Sequence, residues 1–126
     1  MFTHVMVGTN DIDRSKKFYD ALFVAVGGKP GTVDPKGRLV YVHNNAWFLV
    51  TQPLDGQPAT HGNGGTIGFA ASSPEQADAW HSAGVANGGA AVEDPPGVRP
   101  GSGMYLAYLR DPDGNKLCAL HMLPAA

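Results

Sequence analysis

Phe2-Thr3-His4-Val5-Met6-Val7 and, with Thr66 standing 62 positions after His4, Gly65-Thr66-Ile67-Gly68-Phe69-Ala70 open two passages of chain that read alike. Each is a short apolar run, as a buried strand requires, and each leads into a helix with a start signal. The first helix opens at Asn10-Asp11, whose short side chains can accept from the orphan amides of the first turn. The second opens at Ser73-Pro74-Glu75-Gln76, with Ser at the cap, Pro at the first helical position and Gln three residues after the cap. Ile12, Phe18, Tyr19, Leu22 and Ala25 recur at helical spacing in the first; Ala77, Trp80 and Ala83 or Gly84 do so in the second. Gly27-Gly28 and Gly88-Gly89 end the two helices.

Three strand-like segments follow each helix. In the first half they are a weak one at Lys29–Asp34, then Leu39-Val40-Tyr41-Val42 and Ala46-Trp47-Phe48-Leu49-Val50, the last two joined by Asn44-Asn45 as a tight turn. The second half ends in Met104–Leu109 and Lys116–Met122, with the turn Asp111-Pro112-Asp113-Gly114-Asn115 between them. Pro53 to Gly65 is polar and rich in Gly and Pro, and reads as the connection between the halves. Glu93 to Gly103 holds three prolines and three glycines and reads as a loop free to move. The expected fold is α+β: two βαβββ modules forming a curved mixed sheet around a cleft, with a helix on the outer side of each. Module one spans about residues 1–52, the linker 53–64 and module two 65–126.

The bulk numbers exclude several classes. At 126 residues the chain is long enough for one domain with a real core, and 43% of it is hydrophobic. A net charge of -2 without runs of like charge offers no basic face for nucleic acid. No apolar stretch is long enough to span a membrane, and no signal peptide is evident at the N-terminus. A single cysteine, Cys118, cannot form an internal disulfide and fits a reducing cytoplasm.

The order strand, helix, three strands, taken twice, together with Arg110-Asp111-Pro112-Asp113-Gly114-Asn115-Lys116-Leu117 and the helix opening Asn10-Asp11-Ile12-Asp13-Arg14-Ser15-Lys16-Lys17-Phe18-Tyr19, resembles the vicinal oxygen chelate superfamily. That group holds glyoxalases, bleomycin-resistance proteins and extradiol dioxygenases. The resemblance implies a homodimer and a metal site with one His, Glu or Gln ligand from the first and last strands of each module. Carried over, the first ligand position is His4, the second falls near Leu49 with Gln52 close by, the third is Thr66 and the fourth is Cys118. One clear donor of four remains, whereas a divalent ion is usually held by three or four. A divalent ion is therefore expected only through His4 and unusual partners, and no tightly bound cofactor is expected.

The candidate site residues follow from strand alternation. His4 shares a face with Phe2, Met6 and Gly8 and faces the cleft if Val5 and Val7 pack on the helix. Gly68 and Ala70 leave room beside Thr66. Tyr41, Trp47, Tyr105 and Tyr108 supply aromatic surface, which with a few polar groups suits a small organic ligand. The expected ligand-binding set is His4, Tyr41, Trp47, Thr66, Tyr108 and Cys118. A pairing of Cys118 as nucleophile with His4 as base is the weaker catalytic candidate. Arg110 is expected to pair with Asp111 or Asp113. Asp-Pro-Asp-Gly-Asn lacks the later Glu of a calcium loop, and Gly62-Asn63-Gly64-Gly65 lacks the Lys-Ser/Thr of a phosphate loop. Two function classes remain: a lyase, isomerase or dioxygenase of the resembled type, or a metal-free protein that binds or sequesters a small molecule.

Overall fold

The computed structural model describes residues 1–125; Ala126, the last residue of the second module as read from the sequence, lies outside them. Along the chain run β1 (His4–Gly8), α1 (Ile12–Ala25), β2 (Thr32–Val33), β3 (Leu39–His43), β4 (Ala46–Thr51), β5 (Ile67–Ala70), α2 (Pro74–Ala86), β6 (Ala90–Ala91), β7 (Gly97–Val98), β8 (Met104–Arg110) and β9 (Lys116–Met122). The twice-repeated βαβββ order is present, with one addition. The strands form two sheets, β1-β4-β3-β2 and β5-β9-β8-β6, with β7 also paired to β8. Each is mixed: β1 lies parallel to β4 and β5 parallel to β9, while the remaining pairs are antiparallel.

Local chemistry accounts for the element ends. The Asp11 side chain accepts from the Arg14 amide and the Ser73 hydroxyl from the Gln76 amide, satisfying first-turn donors of α1 and α2. The Gln76 side chain reaches back to the Ser72 amide at 2.7 Å. After α1, Gly27 takes φ +84° and the Gly28 amide closes onto the Phe23 carbonyl at 2.7 Å. Asn44 and Asn45 both sit at positive φ, 49° and 63°, which the two-residue β3–β4 hairpin needs.

Both helices lie on one side of the sheets. Val5, Val7, Leu39, Tyr41, Phe48 and Val50 point toward the helices from the first sheet, and Ile67, Phe69, Ala107, Leu109, Leu117 and Ala119 from the second. They join Phe18, Tyr19, Leu22, Phe23 and Trp80 in a single core. α1 and α2 approach closely because Gly84 has no side chain: a Cβ there would fall 2.3 Å from Leu109 Cδ1 and 3.2 Å from Leu22 Cδ2.

A polar clasp joins the halves. The turn between β8 and β9 docks on the N-terminus of α1. Asp113 accepts from the Asn10 amide (3.0 Å), the Arg14 guanidinium (2.7 Å) and the Ser15 hydroxyl (3.3 Å). Asp111, 4% exposed, accepts from the Tyr19 hydroxyl at 2.5 Å, from the amides of Asp113 and Asn115 and from the Asn115 side chain. The expected Arg110 ion pair does not form. Arg110 donates to the Gly114 carbonyl at 2.7 Å, and Arg14 takes the role because folding brings a distant helix to the turn.

The segment 93–103, expected to be a loop, carries one short strand, β7. Arg99 donates to the carbonyls of Asp94, Pro95 and Gly97. One guanidinium thus satisfies three backbone acceptors that would otherwise turn to water.

Candidate functional site

Paired residues of adjacent strands point to the same side of a sheet. His4, Trp47 and Val42 therefore share the side of the first sheet turned away from the helices, as do Met6, Leu49 and Val40. In the second sheet Gly68, Cys118 and Tyr108 share the corresponding side, next to Ala70, Leu120 and Leu106. The expected positions His4, Trp47, Tyr108 and Cys118 thus all stand on the open faces.

Tyr41 does not. It pairs with Phe48 and faces the helices, is 2% exposed, stacks on Phe23 at 4.4 Å and 11°, and donates to Asp20 at 2.7 Å. Alternation marks two faces of a strand but does not say which is covered, and across the β3–β4 hairpin Tyr41 and Trp47 fall on opposite sides. Tyr105 also turns toward the core and donates to Asp78 at 2.6 Å. Tyr108 lies close to two cations, with Arg99 Cζ at 5.6 Å and Lys116 Nζ at 5.0 Å from its ring centre. Lys116 is also paired with Glu93.

The two sheets meet along a seam. Met6, Val7 and Gly8 of β1 and Gly65, Thr66 and Ile67 at β5 line one cavity of about 340 Å³, together with Thr60, Gly62, Asn115 and Lys116. Further along, beyond the start of β1, Trp47 and Phe48 face Gly68, Phe69 and Ala70 across a second cavity of about 190 Å³. Phe23, Val26, His43, Asn44 and Ala46 complete the second cavity. Of the expected aromatic residues only Trp47 lines it. Phe23, Val26, His43, Phe48 and Phe69 were not among the residues expected at the site. The signal available for His43 was its place at the end of β3, immediately before the Asn44-Asn45 turn.

The chemistry of the four positions that the resemblance assigns to metal ligands is mixed. His4 is exposed, and its Nδ1 shares a hydrogen bond with the Thr3 hydroxyl at 2.8 Å. Leu49 is apolar and 6% exposed. Thr66 offers a hydroxyl. Cys118 is 7% exposed; burial pushes its thiol pKa up, Lys116 pulls it down and Glu93 adds to the rise, so the neutral thiol dominates at pH 7. Among the described residues no three His, Cys, Asp or Glu side chains gather into a metal-holding group, and no hydrogen bond joins His4 to Cys118. The donors present do not fit the family's metal: Leu49 cannot ligate and a threonine hydroxyl is a weak neutral donor, which leaves His4 and Cys118 where three or four protein donors are usual.

The comparisons with known proteins agree with the fold. Residues 1–119 match the Glyoxalase/Bleomycin resistance protein/Dioxygenase superfamily. The chain belongs to this superfamily. A glyoxalase/bleomycin resistance protein from Albidiferax ferrireducens T118 is 60% identical, with a TM-score of 0.91 over 96% of this chain and 98% of that one. More remote members of the fold include the lactoylglutathione lyase of Agrobacterium tumefaciens, at 20% identity and TM-score 0.67 over 95% of this chain and 92% of that one. The hypothetical protein SA1046 from S. aureus is 21% identical, with a TM-score of 0.73 over 95% of this chain and 91% of that one. No curated protein matches the chain. Among the described residues no helix is long and apolar enough to cross a membrane.

Proposed function

We propose that this member of the glyoxalase/bleomycin-resistance superfamily binds a small organic molecule between its two modules without the metal of the family's enzymes. One observation carries the reading. The four positions that the resemblance assigns to the ion are His4, Leu49, Thr66 and Cys118, a set with one imidazole, an apolar side chain, a neutral hydroxyl and a buried thiol, short of the three or four donors a divalent ion usually needs. The surroundings favour the same reading. The 190 Å³ cavity, lined mainly by apolar and aromatic side chains with few polar groups, gains ligand affinity from removing apolar surface from water, at roughly 25 cal/mol per Å². A sequestering or carrier role needs nothing more. The reading as a lyase, isomerase or dioxygenase keeps His4 as its one support.

Metal content decides between the two. Protein purified without chelator and then offered Ni, Zn, Mn and Fe(II) separately is expected to take up well under one equivalent of each, and its ligand binding is expected to be unchanged by chelator. Near-stoichiometric uptake that is lost in His4→Ala would overturn the metal-free reading and restore the catalytic one.

A further inference from the structure

The 190 Å³ cavity at the far end of the seam has a character of its own. Its floor is a cluster of rings. Phe48 and Phe69 meet edge to face at 5.4 Å, Phe23 and Phe69 at 5.8 Å, and Phe23 meets the imidazole of His43 at 6.2 Å and 73°. These rings are held from behind, Phe23 by the stacked Tyr41 and Phe69 by the fully buried Trp80. The floor is therefore formed before any ligand arrives. Trp47, half exposed, forms a wall, and Gly68 and Ala70 opposite it leave room. One side carries polar groups, His43 and Asn44 at the hairpin turn. His43 makes no side-chain hydrogen bond within the described residues.

We propose that this cavity is a binding site for a small planar aromatic molecule, of one or two rings, bearing a hydroxyl or ring N–H that hydrogen-bonds to His43. The proposal rests on the reading of the chain as a metal-free small-molecule binder and names the place and the ligand class. Volume supports the size: an apolar cavity of about 150 Å³ accepts benzene, so this one has space for a ring with a substituent. Lining chemistry supports the class. Ring edges and a tryptophan face offer a flat aromatic guest edge-to-face and offset contacts, which add to its apolar burial, whereas a saturated ring of the same size gains burial alone. The polar side is confined to the hairpin turn, so the guest enters with its polar group toward His43.

The test is a titration of the full-length ¹⁵N-labelled protein with phenol and indole, and with cyclohexanol as a saturated control, followed by amide shifts. Gly68→Leu is the blocking variant; a Cβ at residue 68 meets only Cys118 Sγ, at 3.4 Å, and a thermal melt checks that the fold accepts the longer side chain. His43→Ala removes the polar partner. Saturable binding of phenol or indole is expected, with shifts at Phe23, His43, Phe48, Phe69 and Ala70. Gly68→Leu is expected to weaken it at least tenfold and His43→Ala several-fold, with cyclohexanol several-fold weaker on the unaltered protein. Cyclohexanol binding as tightly as phenol would overturn the aromatic class. Shifts on the unaltered protein confined to Thr66, Tyr108 and Cys118 would overturn the place while leaving metal-free binding intact. Absence of saturable binding by either aromatic probe would overturn the proposal outright, whatever the metal measurements show.

Discussion

Replacing Asp111 by Ala would leave four donors without their acceptor: the Tyr19 hydroxyl, the amides of Asp113 and Asn115, and the Asn115 side chain. Unsatisfied buried donors cost about 1–3 kcal/mol each, and water reaching the partly exposed ones limits the sum. Asp111→Ala is therefore expected to destabilise the protein by about 3 kcal/mol in urea denaturation. Tyr19→Phe removes one donor and leaves the carboxylate its other three, so about 1 kcal/mol is expected. The same contact sets an alkaline limit. Burial and then the Asp111 carboxylate hold the Tyr19 pKa well above its usual value, and burial with the bond to Asp20 does the same for Tyr41. A folded-state pKa above the unfolded one means stability that is fully present below about pH 10 and falls as pH rises beyond it. In a spectrophotometric alkaline titration Tyr19 and Tyr41 are expected to ionise only with unfolding, in one cooperative step. Gradual ionisation of all four tyrosines while the far-UV spectrum stays native would contradict this burial.

At the scale of elements, Gly84 reverses the usual helix rule. Ala is favoured over Gly inside a helix by about 1 kcal/mol. Here the added carbon would press on the fully buried Leu109 and on Leu22 and Phe18, and overpacking of this kind costs about 1–3 kcal/mol. Gly84→Ala is expected to lower stability by about 1 kcal/mol, measured as a reduced urea midpoint at unchanged slope. What could be read from the sequence divides along the same line between local and distant causes. The caps at Asp11 and Ser73, the stops at Gly27 and Gly88 and the Asn44-Asn45 turn are local chemistry, and they stand where the residues indicated. The open-face placement of His4, Trp47, Tyr108 and Cys118 also followed, because a two-residue period survives folding. Tyr41 was misplaced because the buried face of β3 is decided by α1, and α1 covers it only in three dimensions. β7 was missed because Gly97-Val98 has too little pattern to announce a strand; its pairing with Tyr105 and Leu106 forms against a strand already in place. The ring cavity was not legible, since Phe23, His43, Phe48 and Phe69 come from four elements and read as core until the seam brings them to one opening.

For the whole molecule, the question is whether two modules similar in plan behave as two domains or one. The structure argues for one. Phe69 of the second module packs on Phe23 and Phe48 of the first, Gly84 of α2 lies against Phe18 and Leu22 of α1, and the Asp111–Asp113 turn is bound to the start of α1. Neither module keeps its core if the other unfolds. Each alone would also be near the size at which a single core is marginal. Unfolding is therefore expected to be all-or-none. Trp47→Phe makes Trp80, fully buried in the second module, the only tryptophan, so its fluorescence reports that module while far-UV circular dichroism reports both helices. The two urea transitions are expected to superimpose in midpoint and slope in this variant. A fluorescence transition displaced from the dichroism transition would show the second module opening by itself, and the seam would then be a contact between separable halves. Coincident transitions would mean that a ligand gripping both sides of the seam stabilises the entire chain, so a bound aromatic would raise the midpoint seen by both probes equally.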